Sequence, residues 1–325
     1  MHVGSAEVAG GRGDRVAAGL PKAGERLAVD VLPRARARAT EDARAWLSRA
    51  LLSHPIQRFR RDPRFYLRYD GGYFVLCATV CAALALPGVH PLFAATKWTP
   101  AMFAVGFPAV LFCLIYCHLW IHNATHGNFP RWANRAVGEI LGAIVFVRFA
   151  SWQIVHLRHH AHSDDPVLDP HPTFPSYFKS FFRSIVTVER QLQDSYCELW
   201  GETPENRAYE AFRAKVSYAT NVALAAAWYL LLGPVAFFAF WLPCNLLAAA
   251  FVGHFNWATH NGDRGADFRP VNLDHGYYWL GNRLFTGIYF HANHHTRPHL
   301  FNPRRWSELR YGPQDRPVDE PRATS

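Results

Sequence analysis

The sequence predicts an all-α integral membrane protein: a four-helix, two-hairpin bundle carrying a helical cap on its cytoplasmic side. Three observations carry that prediction. First, Gly71–Thr96, Trp98–Pro130 and Val216–Gly262 contain no Asp, Glu, Lys or Arg over 26, 33 and 47 residues. A bilayer-crossing helix needs roughly 20 mostly apolar residues, so the first two stretches hold one span each and the third holds two. Second, the basic residues are segregated. Fourteen Lys and Arg precede Asp70, Lys97 stands alone between the first two spans, ten fall in 127–215 and nine follow Gly262. Third, eleven of the 18 histidines lie in or beside tight clusters, all at span ends or in segments on the side that carries the basic residues.

The elements follow in order. Met1–Thr40 is rich in Ala, Gly and Arg and lacks the apolar segment of a signal peptide. Residues 1–56 are therefore expected to form a disordered basic tail. Arg58, Arg60, Arg61, Arg64 and Arg68 make a basic collar before the first span. Such a collar suits anionic head groups, although membrane orientation alone accounts for it. The functional domain is expected over 57–311, with spans near 73–95, 100–121, 216–232 and 235–253, and with 312–325 as a second tail. Gly233-Pro234 divides the last two spans, since that dipeptide favours a turn. Between the second and third spans, Val137–Val147 is apolar apart from Glu139 but too short to cross, so it is expected at the membrane interface. Residues 131–215 and 263–311 are expected to build the cap. Basic residues stay on the cytoplasmic side, which places both termini and the cap there. The mean hydropathy of −0.09 does not oppose this, because much of the chain lies outside the apolar runs.

Composition removes several classes. An apolar share of 50% with 15% aromatics excludes a disordered or fibrous chain. The six cysteines (77, 81, 113, 117, 197 and 244) form no C-x-x-C pair and sit mostly in apolar stretches. They read as small buried side chains, not as a disulfide framework or a zinc site. No nucleic-acid partner is indicated.

The chemistry sits in four boxes. H-N-A-T-H carries His122 and His126, H-L-R-H-H carries His156, His159 and His160, N-W-A-T-H carries Asn256 and His260, and H-A-N-H-H carries His291, His294 and His295. His118 and His162 flank the first two. Residues at i, i+3 and i+4 share one helix face, so each box presents two or three imidazoles together. One H-x-x-x-H is weak evidence, since chance pairs on helix surfaces are common. Nine imidazoles at one end of a membrane bundle have no packing reason to gather and would repel if protonated. They point to a metal centre. Imidazole suits zinc, copper, iron and nickel; nine exceed the four of a tetrahedral zinc and fit a dinuclear site with open positions.

The order H-x-x-x-H, H-x-x-H-H, N-x-x-x-H, H-x-x-H-H resembles the membrane fatty acid desaturase family over roughly Phe65 to Trp306. The likeness extends to Gly127, to S-W-Q-I-V-H-L-R-H-H-A-H and to H-H-T-R-P-H-L-F-N-P. It implies a di-iron, oxygen-dependent oxidoreductase acting on a long acyl or similar chain. The implied ligands are His122, His126, His156, His159, His160, His260, His291, His294 and His295, with Asn256 reaching one iron through water. Asn123 stands where many members have Asp, which weakens any carboxylate role there. Asp164, Asp165 and Asp169 are candidates to orient imidazoles, as is His162; an ordinary solvated loop is the plain alternative. His118 reads as a buried neighbour of the ligands, His254 points elsewhere, and His171, His275 and His299 have no assignment.

Breaking an unactivated C–H bond requires a metal–oxygen oxidant, hence O2 as co-substrate and two electrons from outside. The chain has no G-x-G-x-x-G and no ferredoxin-type cysteine cluster. A separate donor, such as an acidic ferredoxin drawn by the +9 net charge, is therefore expected on the cytoplasmic face. Hydroxylation, ketolation or decarboxylation to a terminal alkene are alternatives for the same site. A divalent-metal transporter would place ligands near the bilayer midplane, and a haem protein would need facing single histidines. Phe146, Phe149, Trp152, Trp241, Phe251, Phe255, Trp257 and Tyr289 are candidate walls of a substrate tunnel. Arg148, Arg158, Arg269, Arg283 and Arg297 are candidates to hold an anionic head.

Overall fold

The computed structural model describes residues 54–165, 167–171, 174–260 and 270–305. Most of the expected first tail (1–53), the second tail, Arg269, and the cap segments 263–269 and 306–311 lie outside the described residues. Among the described residues the regular structure is helical, apart from one isolated bridge between Asn272 and Phe290.

A short helix α1 (Pro55–Phe59) leads into α2 (Phe65–Leu84) and α3 (Pro100–Thr125). A bent pair follows, α4 (Arg131–Ile144) and α5 (Phe149–Ala161), and then α6 (Tyr177–Trp200) and α7 (Pro204–Leu232). A π-helical turn, Ala236–Trp241, runs into α8 (Leu242–Thr259), and α9 (Gly276–Leu284) and α10 (His291–Thr296) complete the order. Helix starts are written locally. Thr99 and Thr203 accept the N–H of Met102 and Asn206, and Pro100 and Pro204 occupy the first turn.

Two of the described helices are long and apolar enough to cross a membrane: α3 and the continuous Ala236–Thr259. The α4–α5 pair, bent by 104°, makes a third only if it counts as one broken span. The first expected span is displaced: its helix begins at Phe65 and stops at Leu84 instead of reaching residue 95. Pro87 lacks the N–H a helix needs, and Gly88 adopts φ +84°. The uncharged part of α2, Gly71–Leu84, is therefore only roughly 21 Å long, short of the ~30 Å hydrocarbon core. The uncharged part of α7, Val216–Leu232, reaches roughly 25 Å. The break at Gly233 falls where expected, with φ +81°.

Packing pairs α2 with α7 and α3 with α8. Thr220 donates to the Asp70 carbonyl at 3.2 Å, and Phe103 stacks on Phe240 at 4.6 Å. The sharp α4–α5 turn positions the second box. At Gly138 a Cβ would lie 2.5 Å from the Phe149 ring, and at Gly142 it would overlap the Val147 carbonyl. Only glycine lets the two helices approach this closely, and Phe146 takes φ +58° at the corner.

Arg148 opens α5 and corrects one expectation. It is 4% exposed and pairs with Asp70 of α2 at 3.0 Å and Glu189 of α6 at 3.4 Å, and it donates to the Ser217 carbonyl of α7 at 2.9 Å. Arg213 continues the network to Glu189 at 2.5 Å and Glu210 at 2.9 Å, beneath the Tyr66 ring. Arg158 is likewise buried, pairs with Glu198 and donates to the Leu168 carbonyl at 3.2 Å. Neither Arg148 nor Arg158 can hold a substrate head, because both guanidinium groups are spent on joining helices. Arg283 stacks on Trp279 with its carbon 3.8 Å from the ring centre, beside Asp274.

Candidate metal centre

Four helix ends bring the boxes together. His122 lies on the last turn of α3, and His126 caps it. His156, His159 and His160 share the second half of α5, His260 caps α8, and α10 carries His291, His294 and His295. The nine rings fall into two groups. His122, His126, His156, His160 and His294 form one, and His159, His260, His291 and His295 form the other; within each, one ligand nitrogen per residue lies within 4.8 Å of the rest.

The nitrogen spacing tests whether a metal fits. In the first group the Nε2 atoms run His122–His294 at 3.0 Å, His294–His160 at 3.0 Å, His160–His156 at 3.1 Å and His156–His126 at 2.9 Å. A neutral imidazole has one donor and one acceptor nitrogen, so three of these atoms cannot each satisfy two such contacts as good hydrogen bonds. Ligands about 2.1 Å from a metal and at right angles to one another would instead stand about 3.0 Å apart. Five lone pairs converging at that spacing suit a cation with an octahedral habit and one position left open.

The second group is held from behind. His159 Nδ1 meets Asp169 at 2.8 Å, and His260 Nδ1 meets Asp164 at 3.0 Å. Asp169 also accepts the backbone N–H of Asp164 and of His171, both at 2.8 Å. Carboxylates on Nδ1 keep the proton there and leave Nε2 as a lone pair. Both Nε2 atoms are buried with no hydrogen-bond partner. Orphaned acceptors of this kind cost about 1–3 kcal/mol each unless something else occupies them, and a metal ion does. His291 and His295 Nε2 stand 3.2 Å apart in the same group.

Electrostatics agree. Burial, reinforced by neighbouring imidazoles, pushes His160 down to about 3 and holds His156, His291, His294 and His295 well below the usual histidine range. These rings therefore stay neutral, as metal binding requires. Burial would raise Asp169, but the hydrogen bond and charge of His159 bring it down to about 2.

A family model for fatty acid desaturases matches residues 96–311. The chain belongs to the fatty acid desaturase family. Among curated relatives, the sn-2 palmitoyl-lipid 9-desaturase of Nostoc sp. (strain 36) is 24% identical over 225 residues, covering 65% of this chain and 76% of that protein. No solved structure matches.

The remaining site candidates of this desaturase-family chain fall into place differently. Asn256 stands half-buried one turn before His260, and no hydrogen bond joins its side chain to an imidazole among the described residues. Asn123 donates to the Leu119 carbonyl and accepts from Asn128, so it serves the helix end and not a metal. Of the three aspartates, Asp165 only closes a turn onto the N–H groups of Val167 and Leu168. His162 caps α5 through its backbone, and its ring joins neither group. His254 packs against Tyr177 and Trp257, while His299 is exposed.

Sequence reasoning missed the frame around the desaturase boxes. His171 packs on His159 at 5.6 Å, although it reads as isolated in sequence. Asn272 and Asn293 bond to each other at 2.8 Å and fix α10, and Asn282 ties the residues before it through the Tyr289 N–H. Asn293 sits inside H-A-N-H-H, the only hint available; its partner is 21 residues away. Gln153 donates to His54 Nδ1 at 2.9 Å and anchors α5 to the start of the described chain.

Beside the first group lies a crevice of about 490 Å³ that includes space open to the outside. Its walls include His118, Trp152, Val252, Phe255, Phe285 and Ile288, with His122, His291 and His294 at its metal-facing end. Of the aromatic residues expected around a tunnel, Trp152 and Phe255 line it. Phe149 and Tyr289 belong to the core, and Phe146 packs against Trp241.

Proposed function

We propose that this chain is an oxygen-dependent, di-iron membrane desaturase that places a double bond in a long acyl chain. The observation that carries the reading is the division of nine imidazoles into groups of five and four beside an apolar crevice. Members of the family use two irons, and the donor sets suit that pair: His122, His126, His156, His160 and His294 for one, His159, His260, His291 and His295 for the other, with Asn256 reaching the second through water.

The iron pair, when bound, supplies the oxidising power that no side chain has. Overall, one –CH2–CH2– unit, O2, two electrons and two protons give –CH=CH– and two waters. The protein's share is positional. Phe255, Phe285 and Ile288 offer an apolar wall that holds an alkyl chain against His122, His291 and His294 and keeps water away. Asp164 and Asp169 hold the protons of His260 and His159 on Nδ1. Electrons come from a separate donor, ferredoxin-like in the simplest case, docking on the cytoplasmic face. The substrate is an acyl lipid or a related chain, in keeping with the Nostoc relative's name.

The domain proposed for this work is 57–311. Its bundle has four spans in two hairpins, with α2 and α7 as the shorter pair, and both termini and the iron site are cytoplasmic. Supporting this, Val75 and Leu76 of α2 and Val222 of α7 are 63%, 58% and 70% exposed, which suits contact with lipid. Expression in a lipid-producing host, with lipids and volatiles compared by mass spectrometry, tests the reading. New internal double bonds are expected, together with close to two irons per purified chain. Loss of both on changing His294 to Ala is the matching control. Full activity in that variant, or lipids unchanged with iron and a working donor present, overturns the assignment.

A further inference from the structure

The crevice is not uniformly apolar, and two of its buried polar side chains lack partners. His118 is 5% exposed, and neither of its ring nitrogens has a hydrogen-bond partner. Trp152 Nε1 is also buried without one. Both side chains line the crevice, and neither belongs to a metal group. The other polar side chains there are accounted for or less buried: Asn123 is bonded on both ends of its amide, and Thr286 is only half-buried.

Leaving such groups buried and unpaired forfeits the hydrogen bonds they make to water in the unfolded chain, and a plain methylene chain offers them nothing. A tunnel meant only for hydrocarbon would carry Leu and Phe at these two positions at no such cost. Thr286 adds to this. A β-branched residue at φ +52° is strained where glycine would not be, yet it stands in the same wall.

Position gives the distance. His118 lies four residues before His122 on α3, and Trp152 lies four before His156 on α5. Each is therefore one turn from a first-group imidazole on its own helix face. We propose that His118 and Trp152 recognise an oxygen function, a hydroxyl or carbonyl, on the chain bound in this crevice. One helical turn is roughly 5.4 Å, so the oxygen stands roughly four carbons from the carbon that meets the metal groups. Trp152 donates to that oxygen. His118 donates or accepts according to its tautomer, so a hydroxyl suits either form and a carbonyl suits one. This rests on the desaturase reading above and narrows its substrate to oxygenated chains.

The test is binding without turnover. Iron-loaded protein in nanodiscs, kept anaerobic and without an electron donor, is titrated with octadecanoyl lipids in competition with a fluorescent chain. One series carries a single hydroxyl walked along the chain, a second carries a keto group, and the plain chain is the reference. Wild type is expected to favour one oxygenated position by at least tenfold, and the two series show whether hydroxyl or carbonyl is read. His118→Leu should lose that preference and bind the plain chain at least as well as wild type does. His118→Gln should retain part of the preference, and Trp152→Phe should weaken it. Iron content at the wild-type level shows that each variant is folded; should His118→Leu fail that check, Trp152→Phe decides alone. Equal binding of plain and oxygenated chains in wild type, or a preference that survives both His118→Leu and Trp152→Phe, overturns the proposal and leaves the desaturase reading standing. An absence of binding by any chain overturns both.

Discussion

Asp169→Ala should release the second group's metal selectively. The Asp169 side chain is 1% exposed and accepts from His159 Nδ1 and from the N–H groups of Asp164 and His171, each at 2.8 Å. Removing a carboxylate behind a ligating imidazole typically costs 10–100-fold in metal affinity, about 1.4–2.7 kcal/mol. Here the loss should reach the upper end or beyond. Asp169 also seats Asp164, which in turn holds His260, so one substitution loosens two of the four ligands. Asp164→Ala, which frees only His260, should cost about tenfold. Asp165→Ala removes only turn contacts and should leave affinity unchanged. The assay is iron per chain after graded exposure to a chelator, on purified protein in detergent. Wild type should release iron in one late phase, and Asp169→Ala should lose one of its two irons early. Retention of both irons by Asp169→Ala with wild-type resistance would refute the reasoning, as would an Asp165→Ala variant equally weak.

The frame around the site gives four further expectations. Asp70→Ala leaves Arg148 and Arg213 buried with less negative charge, so it should destabilise the fold by about 3–5 kcal/mol, read from unfolding in detergent. Gly138→Ala should cost about 1–3 kcal/mol and lower iron content by displacing α5. Gly72→Ala, with nothing within 4 Å, should instead stabilise α2 by about 0.5–1 kcal/mol. On pH, burial lowers His160 to about 3 and His171 to about 4, against 6.5 when unfolded. The unfolded chain takes up protons first, so metal-free stability should be full above about pH 7 and decline as pH falls from about 6.5 toward 4. A Tm of metal-free protein that stays flat or rises between pH 7.5 and 5.5 would contradict this.

Much of the site is legible in the chain alone, because helical spacing is a local property. The intervals within H-N-A-T-H, H-L-R-H-H and H-A-N-H-H fix which imidazoles share a face, and uncharged length marks the apolar helices, before any tertiary contact is considered. Gly233-Pro234 breaks the chain where it reads as a break. Which imidazoles join which group is another matter. His159 and His160 are adjacent in sequence yet enter different groups, because consecutive helical residues point about 100° apart and each meets a different set of neighbours. The same holds for the charges. In the sequence Arg148 and Arg158 are candidates to hold an anionic head, and packing against Asp70, Glu189 and Glu198 makes them interior struts instead. Asp164 and Asp169 lie five residues apart on one loop, yet they serve imidazoles on two helices, since the loop folds between the ends of α5 and α8. His118 is the sharpest case. Its place one turn before His122 can be read from the sequence, but only the packing of α3 and α8 with the segment from Phe285 to Ile288 leaves its nitrogens without a partner. Local periodicity thus determined the helices and the kinds of ligand, whereas pairing, burial and orphaned polar atoms depend on contacts between separate elements, as far apart in sequence as the 172 positions between His122 and His294, and were decided by the tertiary structure.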